Sequence, residues 1–252
     1  MRRIEIVVVH PELMGTYGDG GNAEVLAHRA RLAGVDAVIR LVAHTEALPG
    51  DADVYCIGGG EDVAQIACVT ALRGRDAATL ATAMARGAQV LAICAGLQIL
   101  GDVFPGSHGE PVEGLSLIPV TTLRGDERLI GEIAMTSPLT GTPLTGFENH
   151  RGVTELRDGA QPLGVMTLGN GNGIGGVDGV VTDQVIGTYM HGPALARNPE
   201  LADVILRRIG VDITGITDAA ASAFAAERRV VASELAANLR RRKRLGRRTT
   251  QW

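Results

Sequence analysis

Short apolar runs alternate with helical stretches along the first hundred residues, and this alternation narrows the fold more than any other feature. Ile4–Val9, Val35–Val42, Asp53–Ile57 and Gln89–Ile93 read as buried strands. Asn22–Ala33, Asp62–Leu72, Asp76–Arg86 and a run from Ala95 read as helices, with Gly34 and Gly87 as C-terminal stops. Strands and helices spaced in this way form βαβ units on a parallel sheet. The pattern changes after about residue 110. Leu115–Thr122, Ile130–Thr136 and Gly152–Leu156 are β-like segments joined by turns, Leu168–Gly179 is a Gly/Asn-rich loop, Val185–Met190 is a strand and Pro199–Ile209 a helix. The expectation is one α/β domain over residues 1–215, a mostly parallel central sheet flanked by helices with an antiparallel extension. A C-terminal helix and basic tail over 216–252 would follow. In that helix Val231, Leu235 and Leu239 lie four apart, a stripe expected to dock on the body or on a partner.

Composition removes several kinds of chemistry. The 24 basic residues include a single lysine, Lys243, in the tail. A phosphate-binding P-loop needs a lysine after its glycines, and a Schiff-base enzyme needs one in its pocket; neither is available. ATP-driven chemistry would therefore fall to another chain. Cys56, Cys68 and Cys94 are an odd number without paired spacing, which suits a reducing compartment. No C-x-x-C or H-E-x-x-H occurs, so no metal site is expected. The opening apolar run is too short for a signal peptide and no run approaches a membrane span, so a cytoplasmic protein is expected. Arg240–Arg248 holds seven basic and no acidic residues; without them the formal charge of −4 would be −11. Such a tail can meet a membrane surface, nucleic acid or an acidic partner, or be a solvated helix end whose cations face the helix dipole.

The segment A-Q-V-L-A-I-C-A-G-L-Q puts Cys94 at a strand-to-helix junction, the geometry of a nucleophile elbow. Ala92, Ala95 and Gly96 supply the small neighbours that a tight turn needs. The helix that follows turns its N–H dipoles toward the sulfur and favours thiolate. The competing reading is a buried cysteine acting as a small hydrophobe, which is how Cys56 and Cys68 read. An acyl-transfer thiol needs a base. His191, in G-T-Y-M-H-G-P just past the last strand, is the candidate, because sites in parallel sheets form at the carboxyl ends of strands. His150 in F-E-N-H-R-G competes with it; His10 also ends a strand, and His28 and His44 look like surface residues. Gly58-Gly59-Gly60 is either an ordinary βα turn or, beside an elbow, a source of oxyanion donors.

The elbow A-I-C-A-G-L-Q resembles the C-x-G-x-Q motif of class I (triad-type) glutamine amidotransferases. I-G-G-G-E-D resembles their oxyanion loop, and G-T-Y-M-H-G-P the branch similar to cobyric acid synthases. Y-G-D-G-G-N and the segment Arg128–Glu132 resemble the glutaminase subunits of lipid II isoglutaminyl synthases. The resemblance runs from about Met1 to Leu206 and implies a flavodoxin-like class I glutaminase fold without cofactor. It also implies Cys94 as nucleophile, His191 as base, Gly59 as oxyanion donor, Gln98 in the glutamine pocket and Arg128 on the substrate carboxylate. Tyr17, Asp19 and Asn22 would shape the pocket rim or the partner interface; alone they read as a first βα turn capped by Asn22.

The implied partners are L-glutamine, a Mur-ligase-like ATP-dependent subunit in a heterodimer, and lipid II through that subunit. No nucleic acid is implied, and the site of action is the cytoplasm at the inner face of the membrane. Many class I enzymes carry Glu two residues after the histidine; here that position is Pro193. The residue orienting His191 must lie elsewhere or be absent, and the resemblance suggests an acidic residue of the partner. Corrinoid amidation, a stand-alone cysteine hydrolase and a non-enzymatic binding subunit remain as alternatives.

Overall fold

The computed structural model describes residues 2–157 and 159–248, with side chains to Arg242. The side chains of Lys243–Arg248 and all of 249–252, which hold much of the expected basic tail, lie outside the described residues.

The first sheet is built from β1 (Arg3–Val9), β2 (Asp36–Val42), β3 (Val54–Ile57), β4 (Gln89–Ile93), β11 (Val180–Val181) and β12 (Val185–Thr188). Its order is β11-β12-β4-β3-β1-β2, parallel throughout except for the antiparallel edge strand β11. β3 and β4 are buried along their whole length, as strands covered on both faces must be. Helices α1 (Gly21–Leu32), α2 (Asp62–Ala71), α3 (Ala77–Ala85) and α4 (Ala95–Leu100) connect the strands; a π-type turn at Leu72–Asp76 joins α2 to α3. One core packs α1 and α6 (Pro199–Arg208) on Ile4, Ile6 and Val8, and the opposite core packs Val7, Val9, Tyr55 and Ile57 on α2 and α3. Alternate residues of β1 thus face opposite layers.

The second sheet consists of β5 (Val103–Pro105), β6 (Pro111–Glu113), β7 (Val120–Thr136), β8 (Pro143–Leu156), β9 (Gly164–Leu168) and β10 (Val177–Asp178). β7 and β8 form a long antiparallel hairpin, so the separate segments expected at 130–136 and 152–156 are parts of continuous strands. Residues 115–119, expected to be β-like, precede the strand rather than open it. The pairing jumps from Arg124↔Gly152 to Leu129↔His150, and the extra residues of β7 bulge out of the ladder with Arg128 among them.

Two further expectations are corrected. Asn22 is not a cap: it lies within α1, and its Oδ1 accepts from Leu195 N–H at 2.9 Å at the start of the short helix α5 (Ala194–Arg197). The docked face of α7 (Ala219–Arg248) is not the Val231/Leu235/Leu239 stripe. Ala232 and Ala236 are buried against Ala134 and Leu168, whereas Leu235 and Leu239 are exposed. Small residues let the helix backbone approach the sheet, and the leucines are left a quarter turn away. Among the described residues, no helix is long and apolar enough to cross a membrane.

Candidate active site

The carboxyl ends of β1, β3, β4 and β12 converge, and each delivers one part of the site. Cys94 follows β4 with φ 51° and ψ −107°, a conformation unusual for a residue with a side chain. Its N–H donates to Thr188 O at 2.8 Å, tying the end of β4 to the end of β12, three residues before His191. Gly96 permits the elbow: a Cβ there would lie 2.5 Å from Ile57 O. His191 is held from the second sheet as well, since its backbone exchanges hydrogen bonds with Phe147 of β8.

Asp19, in the loop after β1, supplies the carboxylate. It is buried and accepts from His191 Nδ1 at 3.1 Å and from Gly59 N–H at 2.8 Å. The acidic group expected on a partner chain is thus matched by one of this chain's own, 172 residues from the histidine. Pro193, standing where a triad glutamate is usual, packs on the start of α1: a Cβ on Gly21 would lie 2.6 Å from its Cγ. It backs the loop that carries Asp19. Burial opposes the imidazolium of His191, but the Asp19 hydrogen bond and the neighbouring Cys94 outweigh it and raise the pKa to about 10. Its Nε2 is buried with no hydrogen-bond partner.

Gly59 sits where no side chain fits: a Cβ would lie 2.7 Å from His191 Cε1 and 3.3 Å from Asp19 Oδ2. Its N–H, expected to face an oxyanion, is engaged by Asp19. Ala95 N–H, the amide following the elbow residue, has no protein acceptor among the described residues.

Cys94 opens on a cleft of about 240 Å³ whose walls include Gln98, Arg128, Asn149 and His150. Arg128 Nε donates to Asn149 Oδ1 at 2.7 Å, and Asn149 Nδ2 donates to Tyr17 OH at 2.7 Å. The Tyr17 ring lies 4.5 Å from that of His191. The two terminal guanidinium nitrogens of Arg128 have no hydrogen-bond partner among the described residues. Gln98 forms the wall rather than a free arm: its Oε1 accepts from Gln65 at 2.9 Å and its Nε2 donates to Tyr189 OH at 3.0 Å. The rival His150 also lines the cleft, stacked on Tyr189 with ring centroids 3.8 Å apart. The Gly/Asn-rich segment is packed rather than loose, since Asn170 and Gly171 N–H groups grip the buried Glu148 carboxylate.

The remaining candidates lie outside this cleft. His10 contacts Cys68 at 3.3 Å, His28 pairs with Asp218 and His44 with Glu12. Burial pushes the Cys56 and Cys68 thiols up to about 12, which makes them inert beside Cys94. Among the described residues no group of three or more His, Cys, Asp or Glu is arranged to hold a metal. Sequence reasoning missed Gln65, Asn149 and Tyr189; their only signal was proximity to the motifs they support.

Comparison with known proteins shows the family and the fold. Residues 5–199 match the CobB/CobQ-like glutamine amidotransferase domain. The chain is 34% identical over 203 residues to the GatD subunit of the glutamine-hydrolysing lipid II isoglutaminyl synthase of Streptococcus pneumoniae, covering 79% of this chain and 78% of that one. It is 35% identical over 162 residues to cobyric acid synthase of Xanthobacter autotrophicus, but spans only 32% of that protein. A crystal structure of a glutamine amidotransferase shares the fold, with a TM-score of 0.54 at 17% identity over 82% of this chain and 99% of that one.

Proposed function

The chain belongs to the CobB/CobQ-like glutamine amidotransferase family and is a glutamine-hydrolysing component, and from that premise we propose that it is the glutaminase subunit of a lipid II isoglutaminyl synthase. The observation that carries the mechanism is the buried carboxylate of Asp19 on His191 beside Cys94. Asp19 favours the protonated form of His191, so the imidazole beside Cys94 is set to take the thiol proton as the sulfur attacks. The thiolate attacks the side-chain carbonyl of glutamine. The tetrahedral oxyanion is met by Ala95 N–H and by Gly59 N–H once its peptide turns from Asp19. Collapse breaks the C–N bond, and His191 Nε2–H protonates the departing ammonia. Neutral His191 then takes a proton from water, which attacks the thioester carbonyl. Collapse of this second intermediate breaks the C–S bond, glutamate leaves, and the proton held by His191 is shared again with the Cys94 sulfur. Asp19 accepts from Nδ1–H throughout, so that Nε2 does the chemistry, the role of the carboxylate in Ser-His-Asp enzymes. Arg128 holds the glutamine α-carboxylate with its two free nitrogens, and Tyr17 and Asn149 keep the guanidinium in place.

Ammonia passes to a Mur-ligase-like partner that activates the D-glutamate α-carboxyl of the stem peptide with ATP. The single lysine lies in the tail, so these residues hold no P-loop, which supports giving the ATP-dependent step to such a partner. Work on a lipid-linked acceptor would place the heterodimer in the cytoplasm at the inner membrane face. The test is amidation by the reconstituted pair. Cys94→Ala should abolish the glutamine-driven reaction and spare the ammonium-driven one; loss of both would overturn the division of labour. Corrinoid amidation is the second reading, favoured by the identity to cobyric acid synthase. It would be recognised by transfer to a corrinoid carboxylate instead.

A further inference from the structure

The C-terminal helix α7 has features that glutamine hydrolysis does not use. It is 30 residues long, about 45 Å, and lies wholly beyond residue 199, where the family match ends. Its seam with the body is made by Ala225, Ala232 and Ala236, with Arg229 donating to Pro143 O and pairing with Glu200. A helix turns about 100° per residue. Phe224, Val231, Leu235 and Leu239 therefore form a second stripe, about a quarter turn from the docked alanines. Phe224 is 42%, Leu235 39% and Leu239 48% exposed. Arg228 lies over the Phe224 ring at 5.6 Å and pairs with Glu227. After Glu234 no acidic residue remains in the chain, and Arg240–Arg248 carries seven basic ones.

We propose that α7 is a peripheral membrane helix, which lays the Phe224–Leu239 stripe on an anionic phospholipid surface while its arginine-rich end binds the headgroups. Charge argues for this occupant. The rest of the chain is net acidic, −11 without these seven cations, and an anionic surface would repel it. Charge complementarity favours the basic helix end facing such a surface. An apolar stripe beside a polybasic stretch is the two-part signal that peripheral helices use, since neither part alone holds firmly. A membrane location deepens the lipid II reading and rests on it for its purpose, but the binding itself does not depend on that reading.

The test is co-sedimentation of the full-length chain with vesicles of 30% phosphatidylglycerol in phosphatidylcholine, and with pure phosphatidylcholine. At low salt, binding to the anionic vesicles should be at least about ten-fold tighter, and it should weaken as salt screens the charges. Truncation after Asn238, and separately Leu235→Glu with Leu239→Glu, should each reduce binding about ten-fold or more. Circular dichroism should show both variants folded, and glutamine hydrolysis should be unchanged. Equal affinity for neutral vesicles, or none for either kind, would overturn the proposal. So would tighter binding to duplex DNA that the truncation abolishes, or self-association of the chain that the leucine substitutions abolish. Failure of glutamine hydrolysis by the intact chain would count against the enzymatic reading and leave the vesicle result standing.

Discussion

Asp19→Asn is the most informative single change, because it preserves shape and removes only charge and acceptor capacity. In the native site one carboxylate accepts from both His191 Nδ1–H and Gly59 N–H. An asparagine oxygen can serve one of these donors, and its amide then faces the other. Burial works against the imidazolium, while Asp19 and then Cys94 hold His191 at about 10 instead of 6.5. That rise corresponds to about 5 kcal/mol of preference for the cation. Losing the Asp19 charge, with the imidazole still buried and its tautomer no longer controlled, should lower kcat by about 10²- to 10⁴-fold. Ammonia release from glutamine should show the fall in kcat, with KM nearly unchanged because Asp19 does not line the wall that holds Arg128. Stability provides an independent check. A histidine whose pKa is raised on folding stabilises fully below its unfolded value, near 6.5, and loses that contribution as pH climbs toward 10. Native Tm should therefore decline across this window, and Asp19→Asn should flatten the decline. A variant with kcat within threefold of the native chain and the same slope of Tm with pH would refute the role given to Asp19.

Gly59→Ala should lower kcat by about 10²- to 10³-fold in a folded protein, because the new methyl would press on His191 Cε1 at 2.7 Å and disturb the oxyanion side; steady-state kinetics beside circular dichroism would check this. Arg128→Ala should raise KM for glutamine about 10- to 100-fold, from the loss of a charge-assisted contact of about 1.5–3 kcal/mol, with Arg128→Lys recovering only part. Iodoacetamide at pH 8 should modify one thiol in the native protein, Cys94, since burial holds Cys56 and Cys68 at about 12. Mass spectrometry showing two or more adducts on the folded chain would contradict that.

Features carried by local pattern could be read from the sequence, and those set by distant contacts could not. Buried strands such as Gln89–Ile93 and the small residues around Cys94 announce a parallel sheet and an elbow without any tertiary information. The residue next to His191 is another matter. Asp19 looks like an ordinary turn residue, and only folding brings it across 172 positions of chain. Gly59 could be recognised as a close-approach glycine, but not the acceptor that its amide would find. Strand β7 joins two segments that local pattern keeps apart, because pairing with β8 carries the chain across residues 123–129, where the bulge frees Arg128. In α7, periodicity identified a leucine stripe, yet the docked face was chosen by size. Ala232 and Ala236 let the helix approach Ala134 and Leu168 more closely than leucines would.

The central claim is that this chain contains a complete cysteine glutaminase, with Cys94, His191 and Asp19 all its own. The most direct test is ammonia release from L-glutamine by the purified chain with no second protein present, measured beside Cys94→Ala. The account predicts release by the native chain and none by the variant. No release by the native chain, or release that survives the loss of Cys94, would contradict it.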